Sequence, residues 1–190
     1  MPSKLKTMGD AIDQFVHDGD TVFLGGFIHN ESFAAAHEII RQHKRELTIS
    51  KAAGDIMVDQ LVGAGCVKRL ILAYLWNPMP PPRPAHCFRR AIEQGIPHPV
   101  EIEDYTVFTL TAAYMAGSLG LPFMPTKSAM GSDIEKRRTF LGESKMKVIE
   151  CPFTGEKVCL VPGIRHDVGI LQVHRADERG NAQVWGLLGD

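Results

Sequence analysis

Two glycines after the first apolar run are the first residues of this sequence that could do chemistry. Gly25, Gly26 and Phe27 follow the run at 21–24, where a buried strand is expected to end. Ligands of open α/β sheets bind outside the carboxyl ends of the strands, and glycines there let backbone N–H groups approach an oxygen or a phosphate. A bare Gly-Gly pair is more often an ordinary tight turn, and no dinucleotide fingerprint or Walker loop accompanies it. His29 follows closely and is a candidate for lining the same site.

Two further loops are expected at the same edge of the sheet. Lys51 and Gly54 follow the apolar run at 47–50, and Asn77 follows the run at 70–75. Taken singly, each loop is explained by a plain turn between a strand and the next element. Because the carboxyl ends of parallel strands meet at one edge, the three loops together indicate a binding site better than any one of them does.

Carboxylates are crowded at the next predicted strand end. Glu101, Glu103 and Asp104 lie there, and side-chain alternation along a strand places Glu101 and Glu103 on the same side. Neighbouring carboxylates raise one another's pKa, which suits acid–base catalysis. A solvated strand end accounts for the same residues without a catalytic role, so both interpretations stay open.

Other catalytic and metal-binding patterns are not found in the sequence. The histidines show no ligand spacing and the four cysteines form no Cys-x-x-Cys pair, so no metal site is expected. There is no Gly-x-Ser-x-Gly motif, so a hydrolase with a nucleophile elbow is unsupported. The cysteines are expected to be free thiols in a reducing, cytoplasmic environment.

The elements that would position these residues alternate between strands and helices. Continuous apolar runs predict buried strands at 21–24, 47–50 and 70–75. Apolar residues at helical spacing, and an Asp55 cap, predict helices at 4–16, 31–43 and 55–65. Strands of this kind, separated by helix lengths, predict βαβ units and therefore an α/β fold with a mostly parallel open sheet flanked by helices.

The second half of the chain begins differently and ends in short strands. A proline-rich loop at 76–84 is followed by a helix at 85–94, a strand near 100–102 and an uncharged helix at 105–119. Strands with short links are then predicted at 158–161, 168–173 and 182–185. The segment 177–181 is the predicted turn between the last two, so antiparallel strands are expected near the C-terminus.

The composition is that of one folded domain over 1–190. The chain has 190 residues, 44% of them hydrophobic and 23% charged, which excludes a disordered chain or a coiled coil. The formal net charge is −1, so neither nucleic acid nor an anionic membrane is an expected partner. The uncharged stretch 105–126 is interrupted by threonines, glycines and Pro122, which predicts a core helix and a loop and not a membrane span. The N-terminus lacks the apolar stretch of a secretory signal.

Several motifs occur in the order in which one known family has them. The acid-Gly turn, apolar strand and Gly-Gly-Phe at 18–27 resemble the first signature of the family I coenzyme A transferases. Further stretches resemble the A (alpha) subunit of the glutaconate CoA-transferase branch of that family: 38–41, 59–67, 103–105, 120–125, 131–133 and 174–181. The resemblance runs from about residue 5 to residue 190.

This resemblance implies an α/β fold and an enzyme of two subunits. In the family the nucleophilic Glu belongs to the B (beta) subunit, where it carries the acyl group as an anhydride and then CoA as a thioester. No beta-type Ser-Glu-Asn-Gly stretch is present in this sequence. A B subunit in a hetero-oligomer is therefore the implied partner, and this chain alone is expected to be inactive. The CoA thioester is implied as a substrate, with no tightly bound cofactor.

The loop positions and the resemblance together define one candidate set for binding the acyl-CoA or the acid. It consists of Gly25, Gly26, Phe27, His29, Lys51, Gly54, Asn77 and Glu103. The sequence departs from the family signature at Glu31-Ser32-Phe33, where the signature has Gly-x-Pro, so a different pocket entrance is expected. The chain is also expected to be short at its C-terminus relative to the family.

Two alternatives to a transferase stay open. Relatives that resemble steroid ring-opening enzymes lack the beta Glu and cleave carbon–carbon bonds of cyclic CoA esters. In that case Glu103 or Glu101 is the candidate catalytic carboxylate of this chain. The other alternative is a non-catalytic partner or a degenerate fragment.

Overall fold

The computed structural model describes residues 3–27, 29–77 and 81–186. The helices are α1 (Met8–Phe15), α2 (Phe33–Arg41), α3 (Ile56–Gly63), α4 (His86–Gln94), α5 (Val107–Ser118) and α6 (Asp133–Lys136), with a 3-10 helix at Gly142–Ser144. The strands are β1 (Thr21–Leu24), β2 (Leu47–Ser50), β3 (Ala53–Gly54), β4 (Val67–Leu72), β5 (Tyr74–Leu75), β6 (Glu101–Asp104), β7 (Phe123–Thr126), β8 (Lys147–Glu150), β9 (Lys157–Pro162), β10 (Val168–Ile170), β11 (Arg175–Ala176) and β12 (Ala182–Gln183).

A parallel sheet of five strands, in the order β10-β1-β2-β4-β6, lies at the centre of the molecule. Every adjacent pair of its strands is parallel. Its apolar runs bury Val22, Leu24 and Ile49 completely. A sheet covered on both faces requires such continuous runs, because neither side of a strand meets water. The predicted α/β fold with a mostly parallel sheet flanked by helices is confirmed.

Two cores cover the two faces of this sheet. On one face, Ile12 of α1, Ile39 of α2 and Leu61 of α3 pack with the sheet residues Leu24 and Ile49. On the other face, α5 and the strand β9 pack against the sheet through Leu110, Ala113, Cys159 and Val161, together with Ile71 of β4. The sheet is therefore held between helices on one side and a mixed layer on the other.

Capping side chains mark the starts of α3 and α5. The Asp55 side chain accepts a hydrogen bond of 2.8 Å from the Met57 N–H at the start of α3. Thr106 and Thr109 form a reciprocal capping box at the start of α5. The described part of the chain contains no helix long and apolar enough to cross a membrane. The predicted core helix within the uncharged stretch is α5, and the strand β7 follows it where a loop was expected.

The C-terminal strands belong to three different sheets. β9 is the middle strand of an antiparallel sheet in the order β7-β9-β8, whereas β10 returns to the central sheet and pairs in parallel with β1. The segment 177–181 joins β11 to β12 in a small hairpin, so the prediction that it follows the strand at 168–173 is wrong. The antiparallel strands near the C-terminus are confirmed.

Neither β7 nor β8 is predicted by the hydrophobic pattern. All four residues of β8 are exposed, so the strand has no alternation of buried and solvated positions. β7 contains Pro125, which normally counts against a strand. Both strands form because β9 pairs with them on its two edges.

Candidate functional site

The loops after β1 and β2 meet at the carboxyl edge of the central sheet. β1 and β2 are adjacent parallel strands, so Gly25 and Lys51, which follow them, lie on neighbouring chains. The Lys51 Nζ donates a hydrogen bond to the Gly26 carbonyl oxygen. Lys51 is only 1% exposed, although lysine is among the residues least often buried. Two of the predicted loops are thus in direct contact.

The loop after β1, residues 25–27 and 29–31, is called the glycine loop here. Gly26 has a φ of +107°, a backbone conformation that residues with a side chain rarely adopt. A Cβ atom on Gly26 would lie 2.5 Å from the carbonyl oxygen of Asn30. Phe27 and His29 exchange backbone hydrogen bonds of 3.1 and 2.6 Å. The loop therefore folds back on itself, and the space beside Gly26 is filled by its own backbone.

Glu31 is a charged residue of this site that the sequence pattern does not assign. Its Oε2 lies 3.0 Å from the Lys51 Nζ, and its side chain is only 4% exposed. The Asp55 Oδ2 lies 4.0 Å from the same ammonium group. Burial and, after it, the nearby Asp55 carboxylate raise the pKa of Glu31 to about 7, although Lys51 acts to lower it. In the sequence Glu31 is visible only as a departure from the Gly-x-Pro of the family signature.

Gly54 and Asn77 lie on two loops that run side by side. Gly54 pairs with Leu75 between the short parallel strands β3 and β5, and a Cβ on Gly54 would lie 2.9 Å from the Leu75 Cγ. The Trp76 N–H donates to the Gly54 carbonyl at 3.2 Å. Asn77 exchanges backbone hydrogen bonds of 2.9 and 3.1 Å with Arg83 across the proline-rich loop, part of which lies outside the described residues. The loops after β2 and β4 are therefore adjacent, as their strands are.

Glu103 is enclosed within the chain. It lies opposite Ile71 in the register of β6 with β4, and its side chain is 0% exposed. Its Oε1 is 2.8 Å from the Nζ of Lys145, which is also 0% exposed. Its Oε2 accepts hydrogen bonds from the Thr139 hydroxyl and, at 3.0 Å, from the Leu141 N–H. The segment that follows α6 thus closes over this carboxylate.

The three carboxylates of β6 do not act as one group, because each has a cation of its own. Glu101 is exposed and pairs with Arg69 on the neighbouring strand at 2.6 Å. Asp104 pairs with Arg137, while Glu103 pairs with Lys145. The carboxylate pair that suits acid–base catalysis is therefore not seen at this strand end.

Lys145 also contacts an aromatic ring. Its Nζ lies 5.4 Å from the centre of the Tyr105 ring, a cation–π distance. Burial raises the pKa of the Tyr105 hydroxyl, so that group stays neutral. No local pattern reveals this lysine, since it lies more than forty residues from Glu103 in the sequence.

Metal binding has no support in the side-chain geometry. Among residues 3–27, 29–77 and 81–186, no group of three or more His, Cys, Asp or Glu side chains is placed to hold a metal ion. Cys66, Cys87, Cys151 and Cys159 are free thiols.

Comparison with known proteins assigns the chain to a family. The model of the family described as coenzyme A transferase matches residues 5–190. The chain belongs to the coenzyme A transferase family. Its central parallel sheet flanked by helices is thus the fold of a coenzyme A transferase.

Two curated coenzyme A transferase subunits match almost the whole chain. The A subunit of the 3-oxoadipate CoA-transferase from Pseudomonas knackmussii is 40% identical over 187 residues, which are 98% of this chain and 64% of the relative. The A subunit of the glutaconate CoA-transferase from Acidaminococcus fermentans is 36% identical over 197 residues, 97% of this chain and 60% of the relative. The chain therefore spans less than two thirds of the length of these relatives.

Solved structures show the same fold. The glutaconate coenzyme A-transferase of Acidaminococcus fermentans aligns with a TM-score of 0.86 and 33% identity, over 98% of this chain and 61% of that one. The decarboxylase AibA/AibB aligns with a TM-score of 0.84 and 29% identity, over 96% of this chain and 67% of that one.

A curated hydrolase subunit is a more distant relative. The cholesterol ring-cleaving hydrolase subunit of Mycobacterium tuberculosis is 26% identical over 98% of this chain and 63% of its own length. The similar proteins are thus named as transferases, a decarboxylase and a hydrolase, so the fold does not by itself determine the reaction.

Proposed function

We propose that this chain is the A subunit of an acyl-CoA:carboxylate CoA-transferase. The observation that carries the proposal is the identity of 40% and 36% with two CoA-transferase A subunits over nearly the whole chain. Both relatives are named for dicarboxylates, so a dicarboxylic acid is the proposed acceptor of CoA. The CoA thioester is a substrate here, and no tightly bound cofactor is needed. The four free thiols suit a reducing, cytoplasmic location.

The state of the carboxylates supports a nucleophile on a second protein chain. Attack on the thioester requires a carboxylate that is ionised and can reach the carbonyl carbon. Glu31 is buried with a raised pKa, and Glu103 is enclosed and paired with Lys145. Neither is prepared to attack a substrate from this chain. A separate B subunit is therefore the proposed source of the nucleophilic Glu, in a hetero-oligomer.

This chain is proposed to line one side of the substrate site. The candidate set at the carboxyl edge offers backbone groups of the glycine loop and the neighbouring loops that carry Gly54 and Asn77. The backbone of these loops is the proposed contact for the thioester, while the partner's carboxylate reacts from the facing side. Under this proposal the substrate lies between the two subunits.

The experiment compares the chain alone with the chain co-expressed with its candidate B subunit. Acetyl-CoA is supplied with 3-oxoadipate or glutaconate, and formation of the new CoA thioester is followed. Transfer is expected only in the complex, and size-exclusion chromatography should show both subunits in one peak. Substantial turnover by the isolated chain, or a well-assembled complex that transfers CoA to neither acid, would contradict the proposal.

A ring-opening hydrolase is the second candidate, favoured by the similarity to the cholesterol ring-cleaving subunit. In that enzyme type Glu103 is the candidate for positioning water or a proton, although its oxygens are enclosed by Lys145, Thr139 and Leu141. Glu103→Gln would then remove about 10²–10⁴-fold of the rate. In a transferase the same substitution is expected to reduce kcat by less than about tenfold, because the partner's Glu carries the chemistry. Asp104→Asn, which breaks an exposed ion pair on the same strand, is the matched control. Circular dichroism of both variants verifies folding.

A further inference from the structure

One buried ammonium group contacts oxygens from three places in the chain. The Lys51 Nζ donates to the Gly26 carbonyl and lies 3.0 Å from a Glu31 oxygen and 4.0 Å from an Asp55 oxygen. Gly26 and Glu31 belong to opposite ends of the glycine loop, whereas Asp55 caps α3. Lys51 thus connects the end of β2 to both ends of the loop that follows β1.

The loop that Lys51 contacts packs against itself. Phe27 and His29 are bonded to each other through their backbones, and the backbone of Asn30 fills the space beside Gly26. A shift of Gly26 would therefore press on the backbone of Asn30. The two contacts of Lys51 therefore join both ends of this loop to the residue that follows β2.

Stability alone does not explain a buried ion pair at this place. Desolvating two charges is expensive, and apolar residues of similar size often stabilise a protein as well or better. The charges are also unbalanced, since Glu31 and Asp55 share one lysine and no Glu31 oxygen receives a well-aligned hydrogen bond among the described residues. The ion pair places the Lys51 ammonium group where it donates a hydrogen bond to the Gly26 carbonyl, which an apolar pair could not do.

We propose that Lys51 and Glu31 are positioning residues that hold the glycine loop in the geometry the CoA thioester requires. Lys51 acts through the Gly26 carbonyl, and Glu31 holds the other end of the loop against the same ammonium group. The proposal rests on the proposed function, because it takes the glycine loop as part of the substrate site. It also accounts for a glutamate at a position where the family signature has glycine.

The test compares Lys51→Met with the double variant Lys51→Met/Glu31→Gln in the complex with the B subunit. The single variant leaves a buried carboxylate without its cation, so both Tm and kcat/KM are expected to fall. The double variant removes that carboxylate charge but does not restore the donor to Gly26. It should regain most of the lost Tm, while kcat/KM stays at least about tenfold below wild type. Lys68→Met, which breaks an exposed pair with Glu46, is the control and should change neither.

Hydrogen exchange of the isolated chain provides a readout that does not depend on activity. Backbone amides of the glycine loop are expected to exchange at least about tenfold faster in the single and the double variant. If the double variant regains wild-type kcat/KM and wild-type loop exchange, Lys51 only supports the fold and the proposal fails. If the wild-type complex transfers no CoA, the proposed function is wrong. If amide exchange in the glycine loop is the same in the variants as in wild type, Lys51 and Glu31 do not position the loop, whatever the activity of the complex.

Discussion

At the scale of single residues, Gly25 and Gly26 are adjacent and identical in the sequence but have different surroundings. A Cβ on Gly25 would meet the end of the Leu171 side chain at 2.4 Å, and that side chain is 61% exposed and can rotate away. A Cβ on Gly26 would meet backbone of Asn30 at 2.5 Å, at a φ of +107°. Backbone atoms cannot move without moving the loop, so only Gly26 requires glycine.

This difference predicts unequal effects of alanine at the two positions. Gly26→Ala should destabilise the chain by about 1–3 kcal/mol and lower kcat/KM of the complex more than tenfold, since backbone strain of this kind costs that much. Gly25→Ala should cost less stability than Gly26→Ala, because Gly25 is buried but the Leu171 side chain beside it can rotate away from the added methyl group. Urea unfolding and the transfer assay measure both variants. Equal effects at the two positions would show that the backbone of the glycine loop moves easily.

At the scale of elements, the crossing of α5 with the chain after β9 depends on close approach. A Cβ on Gly117 in α5 would lie 1.9 Å from the carbonyl oxygen of Ile164, and the Ile164 N–H donates to the Ala113 carbonyl at 3.1 Å. The crossing leads the chain from the antiparallel sheet back to β10. It therefore determines how the second sheet is joined to the edge of the central sheet.

Replacing Gly117 with alanine should push α5 away from the chain segment that follows β9. Ala is preferred over Gly inside a helix by about 1 kcal/mol, but overpacking of backbone against backbone costs about 1–3 kcal/mol and is expected to win at so short a distance. Gly117→Ala should therefore lower the free energy of unfolding. Gly169→Ala in β10 is the control, because nothing lies within 4 Å of a Cβ there. Thermal unfolding that finds Gly117→Ala as stable as the control would contradict this account of the crossing.

At the scale of the whole molecule, the fold encloses charged groups at two separate places next to the central sheet. Lys51 with Glu31 lies at the carboxyl edge, and Lys145 with Glu103 lies under the second layer. Of these groups, Glu31 has a pKa raised from 4.5 to about 7, with Lys51 and Asp55 as the charged groups around it. Folding therefore favours its protonated form, which couples the stability of the molecule to pH.

The pH dependence has a definite sign. Because the folded pKa of Glu31 lies above the unfolded value, its stabilising contribution is complete below pH 4.5 and is lost as pH rises to about 7. A shift of one pKa unit changes the unfolding equilibrium constant tenfold between low and high pH. A shift of Glu31 that is only one unit in size would therefore still change that constant about tenfold. The difference in unfolding free energy between wild type and Glu31→Gln isolates this contribution from other groups. Urea titrations at pH 5, 6, 7 and 8 should show wild type losing stability relative to the variant, and a constant difference would refute the assignment.

The sequence alone determines the elements whose signals are local. Continuous apolar runs identify β1, β2 and the second half of β4. The Asp55 side chain identifies the start of α3. Both signals are local, because period and capping depend on residues a few positions apart. The strand order of βαβ units then brings their loops to one edge, so the contact between the loops after β1 and β2 follows from local pattern and topology together. The motifs that place the chain among coenzyme A transferases are likewise contiguous stretches.

Only the tertiary structure decides which charges meet and where the C-terminal strands go. The pairing of Glu31 with Lys51 and of Glu103 with Lys145 joins residues far apart in the chain, and no periodicity records such a partner. The return of β10 to the central sheet and the exposed strand β8 depend on hydrogen bonds to other strands and not on their own residues. Burial turns these charged residues from solvated side chains into paired ones, because a charge that leaves water must find a partner within the fold.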